Sequence, residues 1–76
     1  MLKQLEKYYE QELHYAEIGM DNEVDRKRRS DIAWYAAQRC LGAGQFAQMC
    51  GVVYEEVEPR FESIRLKLQE MVNREI

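Results

Sequence analysis

His14 is the only histidine in the chain, and Glu10 and Glu17 flank it at helical spacing, so a carboxylate and imidazole metal site is the first chemistry to test. The helical di-metal pattern takes a Glu-x-x-His from each of two helices with further carboxylates facing inward. Here Gln11 stands three residues before His14. A zinc site draws on more Cys and His than one histidine and two cysteines conveniently supply. Hydrolytic chemistry fares no better. Ser30 and Ser63 lie in charged segments, and a thiolate nucleophile at Cys40 or Cys50 would need His14 beside it. Gly42-x-Gly44 lacks the third glycine and the preceding strand of a phosphate-binding loop. The sequence therefore predicts no catalytic, cofactor-binding or metal-ligating residues, no enzyme and no small-molecule ligand. On one continuous helix Cys40 and Cys50 sit about 15 Å apart along the axis at roughly 1.5 Å per residue, too far to bridge, and read as apolar residues of a reducing compartment.

The other residues able to engage a partner are basic or aromatic. Arg26, Lys27, Arg28 and Arg29 form the densest basic run, but a run of four wraps a turn of helix instead of lining one face, and Asp21, Glu23, Asp25 and Asp31 surround it. It reads as a solvated surface first and a polyanion patch second. Tyr8, Tyr9, Tyr15, Trp34 and Tyr35 are more large amphipathic rings than a short chain readily hides. Tyr and Trp favour interfaces because each has an apolar body and a polar tip, so these five are the interface candidates.

The elements that must carry these residues are helices. The chain is 46% hydrophobic and 33% charged, with one proline and four glycines, too little turn punctuation for a multi-stranded sheet. Leu2, Leu5, Tyr9, Leu13 and Ala16 recur at helical spacing and predict an amphipathic first helix that Gly19 stops. Asp21 or Asn22 is the expected cap of the second, with acidic residues at the positive end of its dipole. From Ile32 to Val53 the only charge is Arg39, and Ala33, Ala36, Ala37, Cys40, Ala43, Gly44, Ala47 and Gly51 form a strip of small residues. This stretch reads as a central buried helix, not a membrane span, ending at Gly51. Gly42 and Gly44, each costing roughly 1 kcal/mol relative to Ala, mark either a kink, a break or close packing. Tyr54, Val57, Phe61, Ile64, Leu68 and Met71 give an unbroken heptad seam for the last helix, with Pro59 in its first turn.

The expected fold is all-α: residues 1–76 as one small three-helix bundle with a long central helix, the helices covering about 2–18, 22–50 and 55–73. A chain of 76 residues leaves roughly 40% of its unfolded surface exposed, which makes oligomerisation a live expectation. The start MLKQLEKYYEQE is amphipathic instead of a charged-then-apolar leader, so the expected location is cytoplasmic. The net charge of −3 gives no general support to nucleic-acid binding. The expected function is a non-catalytic protein–protein interaction module, a homo-oligomer or a subunit of a larger assembly. The alternative is a nucleic-acid-binding accessory protein.

One local stretch adds weight to that alternative. Phe46 to Val57 resembles the helix-turn-helix signature of small DNA-binding domains: Ala47, the turn residue Gly51, the apolar Val52 and the anchor Val57 fall at its positions. The resemblance implies a tight turn between two steeply crossing helices, the second offered to the major groove. The sequence departs from the pattern where bases would be read, since that helix presents Glu55, Glu56 and Glu58 and then Pro59.

Overall fold

The computed structural model describes residues 1–74, and three helices account for nearly all of them: α1 (Leu2–Asp21), α2 (Arg26–Met49) and α3 (Tyr54–Asn73). All three pairs are in contact, giving the expected three-helix bundle. The expected boundaries shift at both connections, for local reasons.

Gly19 does not stop α1. The helix continues to bury Met20, which is 1% exposed, and Asn22 closes it, its Nδ2 donating to the Ile18 carbonyl at 2.9 Å and its backbone N–H to the same oxygen at 3.3 Å. The cap of α2 is therefore Asp25 and not Asp21 or Asn22. Asp25 is extended, and its carboxylate accepts from the backbone N–H of Lys27 at 2.9 Å and of Arg28 at 3.4 Å, meeting two of the donors a helix start leaves open.

The α2 helix runs unbroken through Gly42 and Gly44. It ends at Met49, with Cys50 as its cap and Gly51 just beyond. Gly51 has φ +103°, a conformation that L side chains rarely adopt. That turn lets Val52 N–H reach the Ala47 carbonyl and Gly51 N–H reach the Gln48 carbonyl, both at 3.0 Å, the paired bonds of a Schellman ending. Pro59 is the sixth residue of α3, a turn further in than the sequence reading placed it. Its ring is exposed, so the carbonyl deprived of a partner four residues back, on Glu55, faces water.

Small residues on α2 set how closely the helices approach. Ala33, Ala36, Cys40, Gly44 and Ala47 are all buried, facing Leu5, Tyr9, Ala16 and Met20 of α1 and Val57, Ile64, Leu68 and Met71 of α3. At Gly44 there is no room for another atom: an added Cβ would lie 2.8 Å from the Tyr9 hydroxyl and 2.9 Å from Val57 Cγ1. At Gly42 nothing lies within 4 Å of the same addition. Tyr9 is 4% exposed, so it is a core residue and leaves the set of interface candidates.

Helix directions follow from contacts at both ends. Gly44 meets Val57, and Arg29 reaches the Met71 carbonyl, so α2 and α3 touch across spans of roughly 20 Å on each helix and run antiparallel. Arg39 Nε pairs with Glu12 at 2.7 Å between the antiparallel α1 and α2, and Arg60 Nε with Glu6 at 2.7 Å between the parallel α1 and α3. The resulting rod measures 40 × 16 × 14 Å between Cα atoms. No helix among the described residues is long and apolar enough to cross a membrane.

Candidate interaction surface

The small strip claims the inward face of α2, and this decides where its large residues go. Trp34 and Tyr35 are each 57% exposed, Phe46 60% and Met49 85%. The sequence predicts a central buried helix for this stretch; the structure buries its small strip and leaves its large residues on the outer surface. Trp34 and Tyr35 meet edge to face, ring centroids 5.1 Å apart. Arg39, the one charge of the stretch, is turned toward α1 by Glu12, which leaves the rest of the outward face uncharged.

Between α2 and α3 this surface folds into a groove. Trp34, Gln38, Leu41, Gln45 and Gln48 form one wall at spacings of four and three, and Tyr54, Glu58, Phe61, Arg65, Gln69 and Val72 form the other. Two depressions of about 240 and 250 Å³ share Phe61. The charged lining is sparse, with Glu58 in the upper depression and Arg65 in the lower. Small-molecule pockets run from about 300 Å³ upward and enclose most of their ligand, whereas depressions of this size fit single side chains of a partner.

The remaining candidates are not gathered there. Tyr8 is half-buried on α1, where burial and then the Glu12 carboxylate push its phenol above the usual range. Tyr15 is exposed on α1 beside His14, their rings 5.8 Å apart. Leu41, Tyr54 and Phe61 join Trp34 there instead, while Tyr35 and Phe46 lie exposed elsewhere on α2. For the α2 residues the spacing carries the signal, since residues one step around the helix from a fully buried small strip must face outward; Tyr54 and Phe61, on α3, carry no such signal.

The basic run is divided as well. Arg26, Lys27 and Arg28 are exposed, Lys27 lying 3.5 Å from Asp31 and Arg28 4.0 Å from Glu23. Arg29 is 6% exposed and turns inward, so it leaves the polyanion patch. Its guanidinium donates to the Met20 carbonyl and, at 2.8 Å, to the Met71 carbonyl, at the C-terminal ends of α1 and α3. Two helix dipoles there place partial negative charge on one buried cation. Spacing could have exposed this, because Arg29 lies four residues before Ala33 on the buried stripe.

The helix-turn-helix expectation is met at the turn and not beyond it. Ala47 and Val57 are buried and Gly51 makes the turn, but α2 and α3 lie side by side along their length instead of crossing steeply, and Glu55 and Glu56 occupy the first turn of α3. Among the described residues no three His, Cys, Asp or Glu side chains come together as a metal site. The chain matches no known protein family, no curated protein and no solved structure.

Two buried groups give the bundle an alkaline limit. Burial pushes the Tyr9 phenol up to about 12 and the Cys40 thiol up to about 12. Each ionises more readily in the unfolded chain, so their contribution to stability is complete below about pH 9 and is lost as pH rises from there toward 12. Denaturation midpoints are expected to fall between about pH 8 and 10.5. Tyr9→Phe, which removes a buried hydroxyl without a partner among the described residues, is expected to narrow the fall.

Proposed function

We propose that this chain is a small non-catalytic helical module that works by binding protein, as a homo-oligomer or as a subunit of a larger assembly, through the α2–α3 face. The observation that carries the reading is the placement of Trp34, Tyr35, Leu41, Phe46 and Tyr54 outside the core on a surface with so little charge. Four of these are aromatic and more than half exposed. At about 150–250 Å² a ring, the two that line the groove, Trp34 and Tyr54, leave roughly 170–280 Å² of aromatic surface there. A cytoplasmic setting accords with this reading, since Cys40 and Cys50 are both free.

The test compares the chain with its Trp34→Lys and Leu41→Lys variants, both at exposed positions. Sedimentation measures self-association, and quantitative capture from the native host measures association with other proteins. The reading expects at least one association that either variant weakens about tenfold or more while helicity is unchanged. It fails if the chain associates with nothing, or if both lysines leave every association as it was.

The nucleic-acid reading has narrower support. Three exposed basic side chains remain of four, two of them beside acidic neighbours. Binding of this kind would weaken steeply with salt. Absence of duplex retardation at low salt removes it.

A further inference from the structure

Glu58 is half-buried in the groove wall and has no cationic partner of its own among the described residues, where the other half-buried glutamates, Glu12, Glu23 and Glu62, each have one. It lies close enough to the Tyr54 phenol to raise its pKa. Arg65 stands seven residues, two turns, further along the same wall, bonded to Glu62 through Nε at 3.0 Å and also through Nη2. The shared residue Phe61 lies between them, so the groove carries one negative charge on one side of its midpoint and one positive charge on the other. That distribution is antisymmetric, which is what a surface needs to match itself under a two-fold rotation.

We propose that a second copy of this chain covers the groove, packed face to face with the two α3 helices antiparallel across a two-fold at Phe61, so that each Glu58 meets the other copy's Arg65. The inference rests on the α2–α3 face being an interaction surface and names its partner. The same rotation sets the two α2 helices antiparallel, with Trp34 over Gln45 and Gln38 over Leu41, so no like charges in the groove oppose one another. Four helices then enclose Phe61, Leu41 and Trp34, while α1 stays outside in each copy. Stable interfaces bury about 800 Å² per partner. Trp34 and Tyr54 supply roughly a fifth to a third of that, and Leu41, Phe61 and the glutamine, Glu58 and Arg65 side chains line the rest of the covered groove. A two-fold along the groove would place Glu58 and Arg65 against uncharged α2 positions and leave Glu58 unpaired.

The test is sedimentation equilibrium at low salt from about 1 to 300 µM for the full chain, Glu58→Arg, Arg65→Glu and the double reversal. The expected result is a dimer whose dissociation constant rises about tenfold or more in each single variant and returns to within about threefold in the double, because both ion pairs are re-formed with exchanged signs. Recovery in the double variant shows that the losses are not unfolding, and Glu58→Arg keeps the bond between Glu62 and Arg65. A chain monomeric at the highest concentration overturns the second copy. A dimer indifferent to the single reversals overturns the arrangement. In either case a host protein captured by the full chain and lost in Trp34→Lys leaves the interaction reading standing, whereas no association of any kind removes both.

Discussion

Replacing Arg29 with Met is expected to lower the stability of the bundle by about 2–4 kcal/mol, although the side chain removed is the charged one in an otherwise apolar core. Methionine would fill most of the space. It cannot donate to the Met71 carbonyl in the last turn of α3, and it leaves two helix C-termini without the cation between them. A buried acceptor left unmet costs about 1–3 kcal/mol, and a favourable charge at a helix end is worth up to about 2 kcal/mol. Set against these is the desolvation of the guanidinium, which the substitution relieves. The loss dominates because Arg29 donates to the C-terminal ends of both α1 and α3 at once. Arg29→Lys keeps the charge and one donor, so its loss is expected to be about half as large. Urea denaturation measures both. An unchanged midpoint in Arg29→Met would mean that water meets the two carbonyls as well as the guanidinium does.

Gly44→Ala and Gly42→Ala are expected to change stability in opposite directions. Either substitution removes a helix-destabilising glycine and gains up to about 1 kcal/mol from backbone propensity. At Gly42 nothing opposes the gain, and stabilisation of about 0.5–1 kcal/mol follows. At Gly44 the new methyl group meets the Tyr9 hydroxyl at 2.8 Å and Val57 Cγ1 at 2.9 Å, so both neighbours must shift to admit it. Overpacking of this kind costs about 1–3 kcal/mol and outweighs the propensity term, so a net loss is expected. Two identical chemical changes half a turn apart on one helix isolate packing from propensity. If Gly44→Ala were stabilising, α1 and α3 would approach α2 less closely than described.

The same two glycines show what could be read from the sequence. Composition and period identified three helices and most of their buried faces, because those depend on spacing within one helix. Leu5, Tyr9 and Ala16 of the first stripe, and Val57, Ile64, Leu68 and Met71 of the last, are core residues. Whether Gly42 and Gly44 break the helix, bend it or pack depends on what lies across from each, and spacing within a helix carries no information about that. Asp21, Asn22 and Asp25 all suit a cap, and the choice fell to Asp25 because Met20 had to be buried first. Arg29 was obscured by the basic residues before it, while Tyr9 stood both in the first stripe and among the interface candidates, and the structure resolves it to the core. The groove was the least legible part, since its walls belong to two helices and half its lining had been assigned to the interior.

Trp34 is the only tryptophan, and it is more than half exposed on a folded chain. Its indole meets water before unfolding and after it, so intrinsic fluorescence would change little across a denaturation curve that helicity follows fully. Covering the groove would exclude that water and move the emission to shorter wavelength. The bundle thus carries an optical reporter that is nearly silent about its own folding and responsive to what binds it.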